Sequence, residues 1–573
     1  MILQTDELTG FPSIDKPWLK YYTAEELNIE IPETSLYENI KRHVGNLGGK
    51  IAIEYLGLKV SYDNMFKKIE MTARALKAVG VEHGDIVSVC LPNIPEAVYL
   101  LYAINSIGAV ANMLDVRCGA PTLEKGIVDA HSKVLFYLDS ITEKFEKVKE
   151  NTTIETVVAV SPIDSFNRIL KFFIRRKEKE LRQNILKDFF TWKQFIDKGK
   201  EYSGSIESTF EGNEDAVIAY TGGTTGEPKG VIGTNRNLNA VAEMSLSVGF
   251  NQKQNDRTLC MAPLWTYYGI CNSLNSTLIH GLGAILIPKF GPNDLADLIL
   301  KYKPNHVITV PSSLNIFFEE KYKDKDFSFL RSLIVGADKM DESLEREINE
   351  FLKKHGSTIR VSKGYGMTEV MAAAAYSRLN ANELGSVGVP YPLNIISAFK
   401  ETDEGFEECK IGEQGEIAIN GPTIMSSYFG KYKTENGDIL KKHLDGIMWA
   451  HTGDIGYIGE DGRVYIVGRL KRMFVKAGFK VFPATIEHCI MTNEAVQMAA
   501  VVSVKDSSSG NMTKAYIVLK DQNYDKEKVQ KEIEKIVADE LYDYELPDIY
   551  EFVDSLPLTG MGKVDYRTLE KKT

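Results

Sequence analysis

The sequence predicts an α/β protein: a large N-terminal lobe of layered α/β sheets with a small β-rich subdomain, then a small C-terminal α+β domain. Three observations predict it. Strand-like apolar runs at 86–91, 109–113, 134–137 and 156–160 alternate with helical spacing, the pattern of parallel, doubly wound layers. From about residue 412 short strands and glycine-rich turns replace that alternation. A compact cationic segment, Arg469, Leu470, Lys471 and Arg472, then precedes a last stretch with strand and helix patterns of its own. At 573 residues the chain exceeds what one core can fill. The expected division is 1–468, with the β-rich subdomain at about 385–468, and 469–573.

Taken in order, residues 16–31 read as an irregular lead-in, and 50–55 and 59–61 as two short strands around a Leu-Gly turn. Met65, Ile69, Met71, Ala75 and Leu76 repeat at helical spacing over 62–79, and Gly80 supplies a C-terminal cap. The run 86–91 predicts a buried strand, 95–107 a helix and 109–113 another strand. Asn93, Pro95 and Glu96 interrupt this apolar window, so it falls short of a membrane span. The stretch from Ser165 to Lys187 breaks the pattern: Ile169, Leu170, Phe172, Phe173 and Ile174 interleave with Arg168, Lys171, Arg175, Arg176 and Lys177. A basic amphipathic helix of this kind suits an anionic membrane surface, or equally a solvated helix packed on the body. Strands follow at 284–288, 306–310, 332–335, 415–419, 464–467, 499–504 and 514–519, with a helix over 526–541.

A net charge of −11, with no broadly basic lobe, excludes nucleic acid as a partner. Six scattered cysteines with no C-x-x-C pair argue for reduced thiols in the cytoplasm, and against a zinc or disulfide framework. The polar, acidic N-terminus is not a signal peptide.

The chemistry concentrates in turns. Residues 220–231 read Y-T-G-G-T-T-G-E-P-K-G-V. Gly222, Gly223, Gly226 and Gly230 free the backbone so that successive N–H groups converge on an anion; Thr221, Thr224 and Thr225 add hydroxyls and Lys229 a cation. No Gly-Lys-Ser/Thr triplet follows, so this is a phosphate cradle but not a Walker loop. Residues 263–269, P-L-W-T-Y-Y-G, form an aromatic cluster on a loop or helix start, and 364–369, G-Y-G-M-T-E, a second glycine-flanked turn.

With Thr452-Gly453-Asp454, Gly468-Arg469 and the run Pro557 to Lys563, these motifs stand in an order that resembles the adenylate-forming (AMP-binding) enzyme superfamily, over nearly the whole chain. The likeness is greatest to bacterial medium- and long-chain acyl-CoA synthetases. The resemblance implies a carboxylic acid–CoA ligase using ATP, Mg²⁺ and coenzyme A. A carboxylate attacks the α-phosphate of ATP, giving acyl-adenylate and pyrophosphate; a thiol then displaces AMP. It further implies that the glycine-threonine loop and Lys229 hold the outer phosphates, that Glu369 organises the metal and that Thr368 contacts phosphate. Tyr365 would stack on adenine against Gly336 and Ala337, while Asp454 accepts the ribose hydroxyls and Arg469 contacts ribose or phosphate. Lys563 would bridge the acid and the α-phosphate, delivered by a mobile C-terminal domain hinged at Lys471; Gly478 would border the pantetheine path. Lys363, Asp338, Arg472, Ala477 and Trp265-Thr266 depart from the usual residues.

The aromatic motif carries no anion for a substrate ammonium, which favours an uncharged, apolar acyl group. A medium- or long-chain fatty acid is expected, with an aryl or polycyclic acid, or loading of a carrier protein, as alternatives. The expected location is cytoplasmic, with peripheral contact at the membrane inner face through 165–187; a homodimer stays open.

Overall fold

A computed structural model of the chain describes residues 8–142, 145, 152, 154–166, 189–221, 228–289, 291, 293–476, 479–506, 510–521, 523–559 and 563–571. The loop residues Gly222, Gly223, Thr224, Thr225 and Gly226, the glycines Gly478, Gly560 and Gly562, and the basic stretch beyond Phe166 lie outside them.

Among the described residues an eight-stranded sheet runs in the order Ser427–Tyr428, Gly230–Thr234, Asp215–Tyr220, Val110–Met113, Ile86–Cys90, Val134–Leu138, Thr156–Val160, Phe190–Thr191. From Asp215–Tyr220 outward its pairings are parallel, as strand–helix alternation predicts. The helix Pro95–Ser106 is buried from Pro95 to Asn105, because it is apolar on every side and has sheets to fill both.

A second, nine-stranded sheet contains Arg257–Cys260, Gly283–Leu286, His306–Thr309, Ser332–Val335 and Ser362–Tyr365. The early hairpin, Ile51–Tyr55 and Leu58–Ser61, extends this sheet by pairing in parallel with Gly283–Leu286. Local patterning predicts these strands but cannot say which sheet receives them.

A third, antiparallel sheet is built from Ile395–Thr402, Gly405–Glu408, Gly415–Asn420, Leu440–Lys442, Met448–Ile458 and Val464–Arg469. The lead-in is not irregular: it forms the short helices Pro12–Asp15, Pro17–Tyr21 and Ala24–Leu27, the last with a capping box at Thr23. Trp18 explains the order, since it is buried in the core of the third sheet with Ile396, Ile417 and Ala450.

Beyond Arg472, the hairpin Phe474–Lys476 and Phe479–Val481 leads into a sheet of Val496–Asp506, Gly510–Leu519 and Ile549–Phe552. Alternate residues fill its two faces. Val501, Ala515 and Ile517 meet the helices Pro483–Met491 and Lys526–Glu540, while Ala500, Tyr516 and Val518 meet Leu556 and Leu569. None of the six cysteines is in a disulfide, and among the described residues no helix is long and apolar enough to cross a membrane.

Lys363, on the strand that leads into Tyr365, points under the second sheet. There it pairs with Glu345 of the helix Glu342–Lys354 and donates to the carbonyl of Glu383 at 2.9 Å. Both side chains are buried, and burial lowers the Lys363 pKa while Glu345 opposes that shift. Removing one partner leaves an uncompensated buried charge, so Lys363→Met should cost about 3–5 kcal/mol. The chemical-denaturation midpoint should fall clearly, and Lys363→Met with Glu345→Leu should recover most of it. A single variant as stable as the parent would refute the pairing's role.

Candidate active site

The cradle residues Thr221 and Lys229 adjoin the ends of two antiparallel partner strands, Asp215–Tyr220 and Gly230–Thr234. Thr221 N–H donates to the Lys229 carbonyl at 2.9 Å and Lys229 N–H to the Thr221 hydroxyl at 3.0 Å, fixing both ends of the loop. The Lys229 ammonium pairs with Glu435 and lies 4.9 Å from the centre of the Tyr428 ring. Tyr428 in turn donates its hydroxyl to Glu369 at 2.7 Å. One short segment, Ser427–Tyr428 with the 3₁₀ turn Gly430–Asp438, thus touches both the predicted phosphate cation and the predicted metal carboxylate.

Thr368 and Glu369 begin a tight turn, Thr368–Val370, followed by Met371 and Ala372 at φ of 53° and 57°. Two successive non-glycine residues in the left-handed region are strained. Asn272 supports them by donating to the Ala372 carbonyl at 3.0 Å. Gly366 must be glycine here, because a Cβ would stand 2.6 Å from the Ala372 carbonyl carbon.

Tyr365 ends its strand beside Gly336 and Ala337, which follow the neighbouring strand Ser332–Val335; Ala337 has φ 69°. The Tyr365 hydroxyl donates to Asp454 Oδ2 at 2.8 Å, and Arg469 Nε donates to Asp454 Oδ1 at 2.9 Å. Asp454 and Arg469 are direct partners across antiparallel strands. Burial raises the Asp454 carboxyl above its ordinary range, and Arg469, Tyr365 and Lys563 oppose that.

Lys563 reaches this place from the far end of the chain. Thr559 N–H donates to the Lys563 carbonyl at 2.7 Å and Lys563 N–H to the Thr559 hydroxyl at 3.2 Å, so the two residues are tied to each other. Burial lowers its pKa, with Asp338, Arg469 and Asp454 as the charged groups around it. Lys471 is exposed in the turn Leu470–Arg472. Arg472 belongs to the last lobe: it pairs with Glu487 at 2.6 Å and covers the Tyr566 ring at 3.5 Å.

These groups border one cavity of ≈ 2310 Å³, with Trp265, Thr266 and Tyr268 on one side. Tyr267 borders it too but is almost wholly buried, donating to the carbonyls of Val217 and Val231 at 2.8 and 3.0 Å. The structure therefore brings together Thr221, Lys229, Gly336, Ala337, Tyr365, Thr368, Glu369, Asp454, Arg469, Lys471 and Lys563. Sequence reasoning missed Tyr428, Glu435 and Asn272, which carry no local motif. Asp338 stood out only as a departure from the usual residue.

Magnesium is ordinarily held by one or two carboxylates, waters and substrate phosphates. The cleft fits that pattern: Glu369 is buried with one oxygen on Tyr428 and borders the same cavity as Thr221 and Lys229.

The chain is similar to proteins of this kind along its length. It is 28% identical over 567 residues to a long-chain-fatty-acid–CoA ligase of Bacillus subtilis, covering 97% of this chain and 98% of the relative. It is also 28% identical to a probable 4-coumarate–CoA ligase of Dictyostelium discoideum, covering 96% and 97%. Among solved structures, an anthranilate–CoA ligase in complex with anthranoyl-AMP matches with a TM-score of 0.80 at 20% identity, covering 96% and 98%; at that identity the likeness speaks to fold alone. Residues 40–429 match the family of AMP-binding enzymes and residues 485–563 the AMP-binding enzyme C-terminal domain, so the chain belongs to the AMP-binding enzyme family.

Proposed function

We propose that this protein is an AMP-forming acid–CoA ligase that activates a medium- or long-chain fatty acid. The observation that carries the reading is the Lys563 side chain, half-buried with Asp338, Asp454 and Arg469 around it, on the same cavity as Thr221 and Lys229. An acid carboxylate and a triphosphate repel each other, so their reaction needs a cation where charge develops. Lys563 supplies it, as a long stem with a point charge. Lys229, Thr221 and the loop hold the outer phosphates, and Thr368 contacts phosphate. Glu369 holds Mg²⁺, which neutralises phosphate charge when bound. Tyr365 stacks on adenine against Gly336 and Ala337; Asp454, with Arg469, receives the ribose.

Residues 469–573 form the moving cap. Arg469 is tied to Asp454 and Arg472 to Glu487, which leaves Leu470 and Lys471 as the free joint between two anchored arginines. After adenylation the cap turns, Lys563 withdraws and the pantetheine arm enters past Gly478. The relatives' names support a CoA acceptor, and the long-chain ligase among them a fatty acid. An aryl acid is the second reading, favoured by Trp265 and Tyr268 at the acyl side of the cavity. A cytoplasmic location with surface contact through 165–187 belongs to the same proposal.

Lys563→Ala should slow pyrophosphate release by about 10²-fold or more, a loss typical of removing one transition-state donor. Thioester formation from supplied acyl-adenylate should survive; equal loss in both half-reactions would contradict the two-position scheme.

Lys563 works as a cation and burial lowers its pKa. Adenylation should therefore fall off on the alkaline side at lower pH than a free lysine titrates. The same limb should be missing when thioester is made from acyl-adenylate. Stopped-flow pH profiles of the two steps read this directly.

Trp265 is buried at the acyl side, with the Arg117 guanidinium 5.3 Å from its ring centre. Trp265→Ala should change chain-length preference several-fold more than the KM for ATP. Unchanged selectivity across a series of acids would remove Trp265 from the pocket wall.

A further inference from the structure

The acyl side of the cavity has a floor that strand register makes legible. On three neighbouring parallel strands, Thr258 stands opposite His306 and His306 opposite Ser332. Two residues on, Cys260 stands opposite Ile308 and Ile308 opposite Ile334. Side chains two apart share a face, so these are successive rows, with Gly336 beyond them at the cleft. Val307, Leu333 and Val335 point to the other face, into the core below the sheet. Ser332 and Ile334 stay partly accessible although their strand is paired on both edges, because cavity lies above them. The roof is helical: Tyr268, Asn272, Ser276 and His280 recur at four-residue spacing and line the same cavity.

The channel changes character along its length. Nearest the cleft it offers Gly336, Ile334 and Ile308; one row deeper it offers a threonine, a histidine and a serine. His306 is fixed there, with Nδ1 2.8 Å from the Ser332 hydroxyl and Nε2 3.1 Å from Asp256 Oδ2. Arg331 lies 3.1 Å from the same Asp256 oxygen and offsets its charge. Thr258 is 2% exposed, and its hydroxyl makes no hydrogen bond among the described residues. That hydroxyl faces the cavity, and a methyl-ended chain pressed against it would strip it of water and leave it without a partner, which is costly.

We propose that the acid this site activates is apolar along its stem and carries a hydroxyl at its far end, bound by Thr258 and Ser332, with His306 as a positioning residue. The inference rests on the acid–CoA ligase reading and names the substrate class of that same site. Four residues of strand from Gly336 to Ser332 span about 13 Å, room for roughly ten carbons of extended chain. A hydroxyl suits the row better than a carboxylate, because Arg331, the cation next to Ser332 in the chain, already faces Asp256. A site built to bond a hydroxyl rejects the analogue that lacks it far better than an apolar pocket rejects an added one.

The test measures pyrophosphate release and acyl-CoA formation by the full-length enzyme with decanoic acid, 10-hydroxydecanoic acid and decanedioic acid. We expect kcat/KM to favour the hydroxy acid over decanoic acid by about 10-fold or more. Thr258→Val should reverse that order, and Thr258→Ser should restore it, which a loss of folding would not do. Equal or better turnover of decanoic acid by the parent enzyme overturns the proposal. Preference for the dicarboxylate overturns it too, and points to an anion at the row. If no acid in a wide panel releases pyrophosphate, the ligase reading itself fails and takes the inference with it; turnover without hydroxyl preference sinks the inference alone.

Discussion

The pairing of Asp454 with Arg469 is the contact on which the site depends. The two residues face each other across strands Met448–Ile458 and Val464–Arg469, so sheet register sets their meeting. Asp454 also takes the Tyr365 hydroxyl, which ties the third sheet to the end of the second. Arg469 is the last residue of its strand, and the chain leaves from it toward the final lobe. One buried carboxylate thus fixes the tyrosine that ends the strand Ser362–Tyr365, the rim of the third sheet and the point where the chain leaves it. Such a charge is tolerated only because a guanidinium and a phenol satisfy it.

The same logic of mutual satisfaction runs through the cleft. Lys229 pairs with Glu435 and Glu369 takes the Tyr428 hydroxyl, both from the segment that follows Ser427. Glu435 holds Lys229 beside the Tyr428 ring. Tyr428 holds Glu369 by one oxygen only. The groups are kept in place without being fully used, which limits the reorganisation needed when charge arrives.

Much of this was legible in the sequence, and the limits have physical reasons. Parallel strands buried on both faces write themselves as apolar runs, so 86–91, 134–137 and 156–160 were readable. Glycine-rich turns announced themselves because backbone that approaches a ligand or turns left-handed selects its residues. The hairpin at 51–61 was readable as strands but not as part of the second sheet, since pairing partners far along the chain leave no local trace. Tyr428, Glu435 and Asn272 were invisible for the same reason: each acts through a contact across the fold, on a residue type common everywhere. The lead-in helices were missed because four- and five-residue turns carry too little periodicity, and their anchor, Trp18, is recognisable only beside the sheet it packs on.

The arrangement of sheets explains why chemistry gathers where it does. Asp215–Tyr220, Ser332–Val335 and Ser362–Tyr365 each end, at their carboxyl side, in a residue of the cleft: Thr221, Gly336 and Gly366. Ligands in open α/β sheets bind outside the carboxyl ends of strands, where connections part and backbone groups are free. Here strand ends from two sheets converge on one cavity, and the third sheet supplies Asp454 across from them. The row of Thr258, His306 and Ser332 instead lies back along the face of the second sheet, toward the amino ends of its strands. The groups at the strand ends therefore sit at a rim that Lys563 of the last lobe also borders, while Thr258, His306 and Ser332 sit within strands held on both sides by the sheet.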